Sequence, residues 1–470
     1  MNTPTTTLPA GGTLPGGGTQ TPREGRPARP ADRGHLGRIT VLSLGIGLVT
    51  ALILTFVAFP GAAEPVVTGA GLVGFACGWA LLAILSTRLT ATPQRWAWVP
   101  ATVMGTTGVA LILVAPDDGA LTAAGWVWAP AMLTLAVWSA VHAIRSLDTR
   151  ARSWVVLPAL TLLALVAVGG GYQTLRVTLD SAAYSMPGRS VDIGEYALHL
   201  DCTGTGTGSP TVVLESGLGG TSTLWSRITA EISSTTRVCA YDHAGQGWSG
   251  SADSPRDAAA VAADLHALLD QAGEAGPFVV VGHSVGGLYA MTFAAEHPAE
   301  VAGMVLLDTT SPYGIDASLA GRSGGGTGPM MFLPSLARMG LAQLMPTSVW
   351  SSLPAPAAGE YRASVATARG ATNSVDEVSE YPAVFAQAQA LTTLGRRPLV
   401  VLTLADKERT DAAGYAAQER FAELSTNSSL RTGDTTHVGL LDDQHGATLS
   451  VRAITDAVES VRTGTAVPRS

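Results

Sequence analysis

Phe278-Val279-Val280-Val281-Gly282-His283-Ser284-Val285-Gly286-Gly287-Leu288 is the stretch from which the chain's architecture can be read. Its first four residues are apolar and rich in β-branched valine, which suits a short buried strand, and a helix-forming run begins at Leu288. Between strand and helix stands G-x-S-x-G. The glycines let the two elements approach closely, and the tight, strained turn exposes the serine oxygen. Ser284 is therefore the candidate nucleophile.

The same β-then-α alternation extends on both sides, from about Arg189 to the end of the chain. β-Rich runs lie at Ser190–Ile193, Tyr196–Asp201, Thr211–Glu215, Arg237–Tyr241, Phe278–Val281, Met304–Leu307, Leu399–Thr403 and around Ser429–Arg431. Helical stretches separate the later ones, which predicts a mostly parallel sheet flanked by helices. The clearest helix is expected over Pro255–Ala272, with Ser254 as its cap, Pro255 in its first turn and Val261, Leu265, Leu268 and Leu269 on one apolar face.

With the serine turn in its strand–turn–helix setting, the region of roughly Arg189–Arg462 resembles the α/β-hydrolase family. Glu215-Ser216-Gly217-Leu218-Gly219-Gly220 stands where that family places its oxyanion loop, with Ser216-Gly217 in place of the frequent His-Gly. The resemblance implies backbone N–H donors at Leu218 and Val285. Asp242-His243-Ala244-Gly245-Gln246-Gly247-Trp248-Ser249 is similar to the family's D-x-x-G-x-G-x-S loop and is expected to be structural support. His243 precedes the nucleophile, whereas the fold supplies its triad in the order serine, acid, histidine. His283 and His297 are also expected to be structural, His283 pointing away from the serine. Late in the chain stand His437, in a loop like the family's final histidine loop, and His445. His437 is the expected base. For the acid, the family's usual loop after the seventh strand offers Asp406, with Glu408 nearby, but Ala405 stands where a glycine is common; Asp308, at the end of the sixth strand, is the alternative. Roughly ninety residues between Asp308 and Leu399 mark a helical lid over about 310–395. Its Met330, Met331, Phe332, Leu333, Leu336, Met339, Leu344 and Met345 suit an apolar pocket roof, although a packed helical insertion would carry the same residues. In this fold the second strand runs antiparallel beside the fourth, so Cys202 and Cys239 are expected to form a disulfide if the domain lies in an oxidising compartment.

The first part of the chain has a different composition. Overall 46% of the 470 residues are hydrophobic and 14% charged, against about 25% charged in ordinary soluble proteins. Residues 1–38 are Thr-, Pro- and Gly-rich and are expected to be a disordered tail. Five uncharged apolar runs follow within residues 39–175: Ile39–Phe59, Val66–Leu85, Trp96–Val114, Leu121–Ile144 and Trp154–Tyr172. Each is about the ~20 residues that a helix needs to cross a hydrocarbon core. Trp96, Trp98, Trp126, Trp128 and Trp154 lie near their ends, at headgroup level. Arg23, Arg26, Arg29, Arg33 and Arg38, then Arg88 and Arg95, then Arg145, Arg150 and Arg152 mark one side, while Glu64, Asp117 and Asp118 occupy the alternate loops. The positive-inside rule then puts the N-terminus in the cytoplasm and residues 189–465 on the extracytoplasmic side.

The expected architecture is thus an α/β-hydrolase domain with a helical lid, preceded by an all-α transmembrane bundle. The expected activity is that of a membrane-anchored serine hydrolase acting on an ester, amide or thioester. Its expected partners are the lipid bilayer and a small acyl substrate of apolar character. A catalytically silent hydrolase-like receptor or membrane interaction module is the rival reading. The formal net charge of −8 argues against a nucleic-acid partner, the three cysteines have no zinc spacing, and neither metal nor cofactor is expected. The spans lack Asp, Glu, Lys and Arg, which argues against a transporter.

Overall fold

Five long helices precede the first strand: α1 (Pro30–Ile53), α2 (Glu64–Leu89), α3 (Trp98–Val114), α4 (Asp118–Ser146) and α5 (Leu157–Ala183). The computed structural model describes residues 1, 30–147, 152–204, 210–252, 254–313, 328–344 and 351–469. Most of the expected N-terminal tail, together with Arg150 and Met345, lies outside them. Helix α1 begins at Pro30 and so takes in residues that the composition assigned to the tail. With their flanking turns, the five helices form segments His35–Ala58, Glu64–Leu89, Arg95–Val114, Asp118–Ser146 and Trp154–Ala183, each long and apolar enough to cross a membrane. Small residues let α1 and α2 pack closely: a Cβ added at Gly78 would come within 3.0 Å of the Ser43 carbonyl oxygen.

All eight expected strands form, as one sheet in the order β1-β2-β4-β3-β5-β6-β7-β8. They are β1 (Arg189–Asp192), β2 (Ala197–Thr203), β3 (Val212–Glu215), β4 (Val238–Tyr241), β5 (Phe278–His283), β6 (Val301–Leu307), β7 (Leu399–Leu404) and β8 (Ser428–Gly433). β2 is antiparallel to β1 and β4, and the strands from β4 to β8 pair in parallel. Every residue of β3, β4 and β5 is buried, as expected of parallel strands covered on both faces. The covering helices are α6 (Ser226–Ile232), α7 (Ala258–Ala272), α8 (Gly286–Glu296), then α9 (Leu333–Arg338), α10 (Ala355–Val365), α11 (Ala368–Ser379) and α12 (Tyr381–Ala388) of the lid, and finally α13 (Ala412–Ala422) and α14 (Gln444–Thr463). Helix α7 starts later than its composition suggests. Asp257, not Ser254, caps it, accepting the Ala260 N–H at 2.9 Å.

Cys202 and Cys239 stand directly opposite each other in the β2–β4 register and are joined by a disulfide. A sequence separation of 37 corresponds to about 3–4 kcal/mol in the chain-entropy account of cross-linking. Replacing both cysteines by serine should therefore lower the denaturation midpoint measurably. Mass spectrometry of alkylated, unreduced protein provides the direct check: alkylation of both residues would rule the bond out.

Candidate active site

Ser284 follows the last residue of β5 with φ +58°, in the left-handed region that non-glycine residues seldom occupy. Its N–H donates to the Leu307 carbonyl at the end of neighbouring β6, which fixes the turn to the sheet. Glycine is needed at 286 because an added Cβ would fall on the carbonyl oxygens of Glu215 and Ser216. Gly217 has the same role from the facing side: a Cβ there would lie 2.9 Å from the Ser284 Cβ. The loop after β3 can therefore close directly on the serine turn. Among the described residues, the backbone N–H groups of Leu218 and Val285 donate to no acceptor, which leaves both available to an oxyanion.

His437 lies in the loop after β8. Its Nδ1 is 2.6 Å from Asp308 Oδ2, with the imidazole N–H donating to the carboxylate. The other oxygen, Oδ1, accepts from Thr403 Oγ1 at 2.8 Å and from Lys407 Nζ at 2.6 Å. Burial alone would raise the Asp308 pKa. The hydrogen bond from His437 and the Lys407 ammonium outweigh it and hold the carboxyl well below the usual carboxylate range. Asp308 is thus buried and ionised, pointing at one imidazole nitrogen, and like Ser284 it has a left-handed backbone, at φ +41°.

This geometry favours Asp308, the alternative, over Asp406. That residue is exposed, and its carbonyl starts the helical turn Lys407–Thr410 by accepting from Arg409 and Thr410. What this loop sends to the site is its next residue, Lys407. Glu408 is exposed too, and His445 stands exposed in the first turn of α14. The geometry therefore brings Ser284, Asp308 and His437 to the C-terminal ends of β5, β6 and β8, on one edge of the sheet, and leaves out the other candidates. Among the described residues no hydrogen bond joins Ser284 Oγ to His437. Contacts of this kind often tighten only when substrate is bound.

His243, His199 and His283 are tied into the scaffold around the site. His243 Nε2 is 3.0 Å from Glu215 Oε2, in a buried pair beneath the Gly217 loop. Asp242 accepts the N–H groups of Ser222 and Trp248 at 2.7 and 2.9 Å and pairs with His199, so its loop is support, as read from the sequence. His283 lies under the base: its Nε2 donates to the His437 carbonyl at 2.8 Å, and the two rings are 4.5 Å apart. Burial, and then the nearby His437 charge, push its pKa down to about 3. An unfolded histidine titrates near ~6.5, so as pH falls from about 6.5 toward 3 the unfolded chain takes up this proton and stability is lost. Between pH 7 and 5, His283→Gln should therefore lose less of its denaturation midpoint than the parent protein. Equal losses would contradict the buried neutral ring.

Nothing in the sequence singles out Glu377. This half-buried residue on lid helix α11 accepts the Gly219 N–H at 3.0 Å and the Tyr289 hydroxyl at 3.0 Å, so the lid holds the loop after β3 directly. Burial raises its pKa. His266, His297 and Glu300 bring potential metal donors within 4.8 Å of one another, but His266 is exposed and the group is built on α7 and the turn before β6. A cavity of about 230 Å³ lies between the ends of α4 and α5, the lid and the loops after β3 and β4, with Trp128, Thr174, Thr221, Trp248, Arg338 and Arg369 on its walls. Neither Ser284 nor His437 lines it.

Residues 210–339 match a family model described as the alpha/beta hydrolase fold, a stretch that contains Ser284 and Asp308 and ends before His437. An uncharacterised protein of Schizosaccharomyces pombe is 44% identical over 80 residues, 17% of this chain and 15% of that protein. YqjL of Bacillus subtilis, also uncharacterised, is 34% identical over 103 residues, 22% of this chain and 41% of its own length. RutD of Azorhizobium caulinodans, provisionally named a carbamate hydrolase, is 31% identical over 115 residues, 24% of this chain and 42% of its own. The chain thus matches less than half the length of each of these relatives. Among solved structures, a thermophilic esterase of Thermogutta terrifontis aligns at 22% identity and TM-score 0.44, covering 58% of this chain and 99% of that one. The sheet order, the left-handed serine turn after β5 and the matched family model agree: the C-terminal domain has the α/β-hydrolase fold.

Proposed function

We propose that the protein is a membrane-anchored serine hydrolase that cleaves an ester, amide or thioester through an acyl-enzyme on Ser284. The observation that carries this reading is the 2.6 Å pairing of His437 Nδ1 with buried Asp308, beside a serine held in the left-handed turn. With Nδ1–H committed to Asp308, Nε2 is left to take the Ser284 proton as Oγ attacks the acyl carbon. The carbonyl oxygen gains charge and is received by the Leu218 and Val285 N–H groups, each worth on the order of 3 kcal/mol to such a transition state. His437 returns the proton to the leaving oxygen, nitrogen or sulfur. A water then attacks the acyl-enzyme by the same route and releases the acid. Asp308 keeps its negative charge throughout and stabilises the imidazolium.

The test uses the full-length protein in detergent with chromogenic esters, anilides and thioesters of graded chain length. Turnover with a burst of leaving group, one equivalent per protein, is expected from an acyl-enzyme. Absence of turnover, together with absence of a fluorophosphonate adduct, would favour the catalytically silent receptor.

Membrane anchoring rests on the five apolar helices and on the large apolar residues they expose, such as Leu113 at 78% and Val127 at 72%. Glu64 and Asp118, from the loops without Lys or Arg, meet Arg338 of the lid, so those loops lie on the hydrolase side of the bundle. With the positive-inside rule this supports an extracytoplasmic hydrolase domain. Protease added to intact cells, or to spheroplasts, should digest that domain and spare a tag on the N-terminus. Digestion of the tag alone would reverse the orientation.

A further inference from the structure

The lid segment Gly328–Leu344 lies against the helical bundle. Its contacts run along one end of the helical bundle. Phe332 packs edge-on against Phe56, the ring centroids 5.5 Å apart, in the turn that extends α1. Ser335 Oγ is 2.9 Å from Thr68 Oγ1 of α2. Arg338 places two nitrogens on Glu64, at 2.5 and 2.8 Å, and reaches Asp118 at 2.7 Å. The backbone from Arg338 to Gly340 lies against Gly169 and Gly170 of α5.

These anchor points fix a depth. Thr68 is one turn below Glu64, the first residue of α2, or about 6 Å at ~1.5 Å per residue. A helix lying in a bilayer interface is buried by about 5–10 Å. A guanidinium at that level is costly unless paired, and Arg338 is paired with two carboxylates. Beyond the bundle and lid helix α11, the segment presents leucines that are exposed among the described residues. Leu333, Leu336, Leu341 and Leu344 are exposed, the last at 76%. They continue the apolar surface that Phe56 and Val57 expose at the end of α1, so whatever solvates the bundle there also meets the leucines.

We propose that Gly328–Leu344 is an interfacial membrane segment, with these leucines in the extracytoplasmic leaflet, and that it ties the lid to the bilayer so that membrane-borne acyl lipids are the favoured substrates. The proposal rests on the five helices being spans. Through contacts between α9 and α11 the docked segment continues to Glu377 and hence to the oxyanion loop. A lid held in this way opens beside the membrane surface, where an acyl chain can reach Ser284 without crossing bulk water.

The experiment places an environment-sensitive fluorophore on single cysteines at Leu336, Leu344, Leu165 and Glu459, in a Cys77→Ala background. The full-length protein is reconstituted in phosphatidylcholine–phosphatidylglycerol vesicles carrying shallow or deep doxyl-lipid quenchers. Leu165, exposed in the middle of the fifth apolar segment, reports on spanning, and Glu459, exposed on α14, reports on water. Leu336 and Leu344 should be quenched at least threefold more than Glu459, and more by the shallow than by the deep quencher. If Leu165 is quenched while the two lid positions match Glu459, the proposal is overturned and the spans stand. If Leu165 is not quenched, the spans themselves are wrong and the proposal falls with them. Shielding of Leu344 without quenching, together with cross-linking between protein molecules, would assign the leucines to a second copy and overturn the proposal. In a second measurement, Leu336→Asp combined with Leu344→Asp should lower turnover of a vesicle-borne long-chain ester at least fivefold and leave a water-soluble short-chain ester unchanged. Equal effects on the two esters would remove the link between the segment and substrate delivery.

Discussion

Asp308→Asn should lower kcat by roughly four orders of magnitude, as loss of the orienting carboxylate does in the serine–histidine–aspartate template, while Asp406→Asn should stay within about threefold of the parent. The two residues stand at the ends of neighbouring strands, but only Asp308 meets the imidazole, at 2.6 Å, and its second oxygen is held by Thr403 and Lys407. An asparagine there can present its amide nitrogen to Nδ1, which favours the wrong histidine tautomer without leaving a hole. The loss should therefore appear in kcat, with little change in the denaturation midpoint. Asp406 is exposed and contributes its backbone carbonyl to the helical turn, which asparagine preserves. If Asp406→Asn were the slow variant, the site would have to rearrange on binding substrate. If both were fast, the triad reading would fail.

Ser284→Ala is expected to remove turnover down to a residue set by substrate binding and the two free N–H groups, a loss on the order of a million-fold in kcat. The substitution deletes one oxygen from a turn whose backbone is fixed by the Ser284 N–H to Leu307 and by the close approach of Gly217 and Gly286, so the fold should survive. The left-handed φ remains a cost for alanine as it is for serine. A variant that keeps near-normal turnover would mean that another group attacks the substrate.

Most of this site can be read along the chain because its chemistry is local. The strand, the glycines and Ser284 are contiguous, the proposed oxyanion loop follows its own strand directly, and the proposed base His437 is separated from candidates such as His243 by the order in which the fold supplies its triad. The acid is not local in that sense. Asp308 and Asp406 both end strands beside the histidine loop, and nothing in their spacing says which carboxylate turns inward. The deciding features are the left-handed turn at Asp308 and the cation that follows Asp406, since Lys407 reaches across to the neighbouring strand end. The supports of His283 on His437 and Glu377 on Gly219 join residues far apart in sequence and leave no local pattern. The same holds for the lid. Met331, Phe332 and Leu336 suit a pocket roof equally well, and it takes long-range contacts such as Phe332 with Phe56, Ser335 with Thr68 and Arg338 with Glu64 and Asp118 to show that this part of the lid lies on the helical bundle. In the N-terminal half, by contrast, uncharged length alone marks the five helices, because each run is about as long as a helix needs to cross a hydrocarbon core.

The central claim, that Ser284 is an activated nucleophile, is tested most directly by mapping the adduct of a fluorophosphonate on the full-length protein in its membrane. The peptide containing Gly282-His283-Ser284-Val285-Gly286 should carry the phosphonyl group on Ser284 at close to one equivalent, and His437→Ala should slow its formation by orders of magnitude. An adduct on any other residue, or a Ser284 that stays unmodified while the protein turns over an ester, would contradict the account.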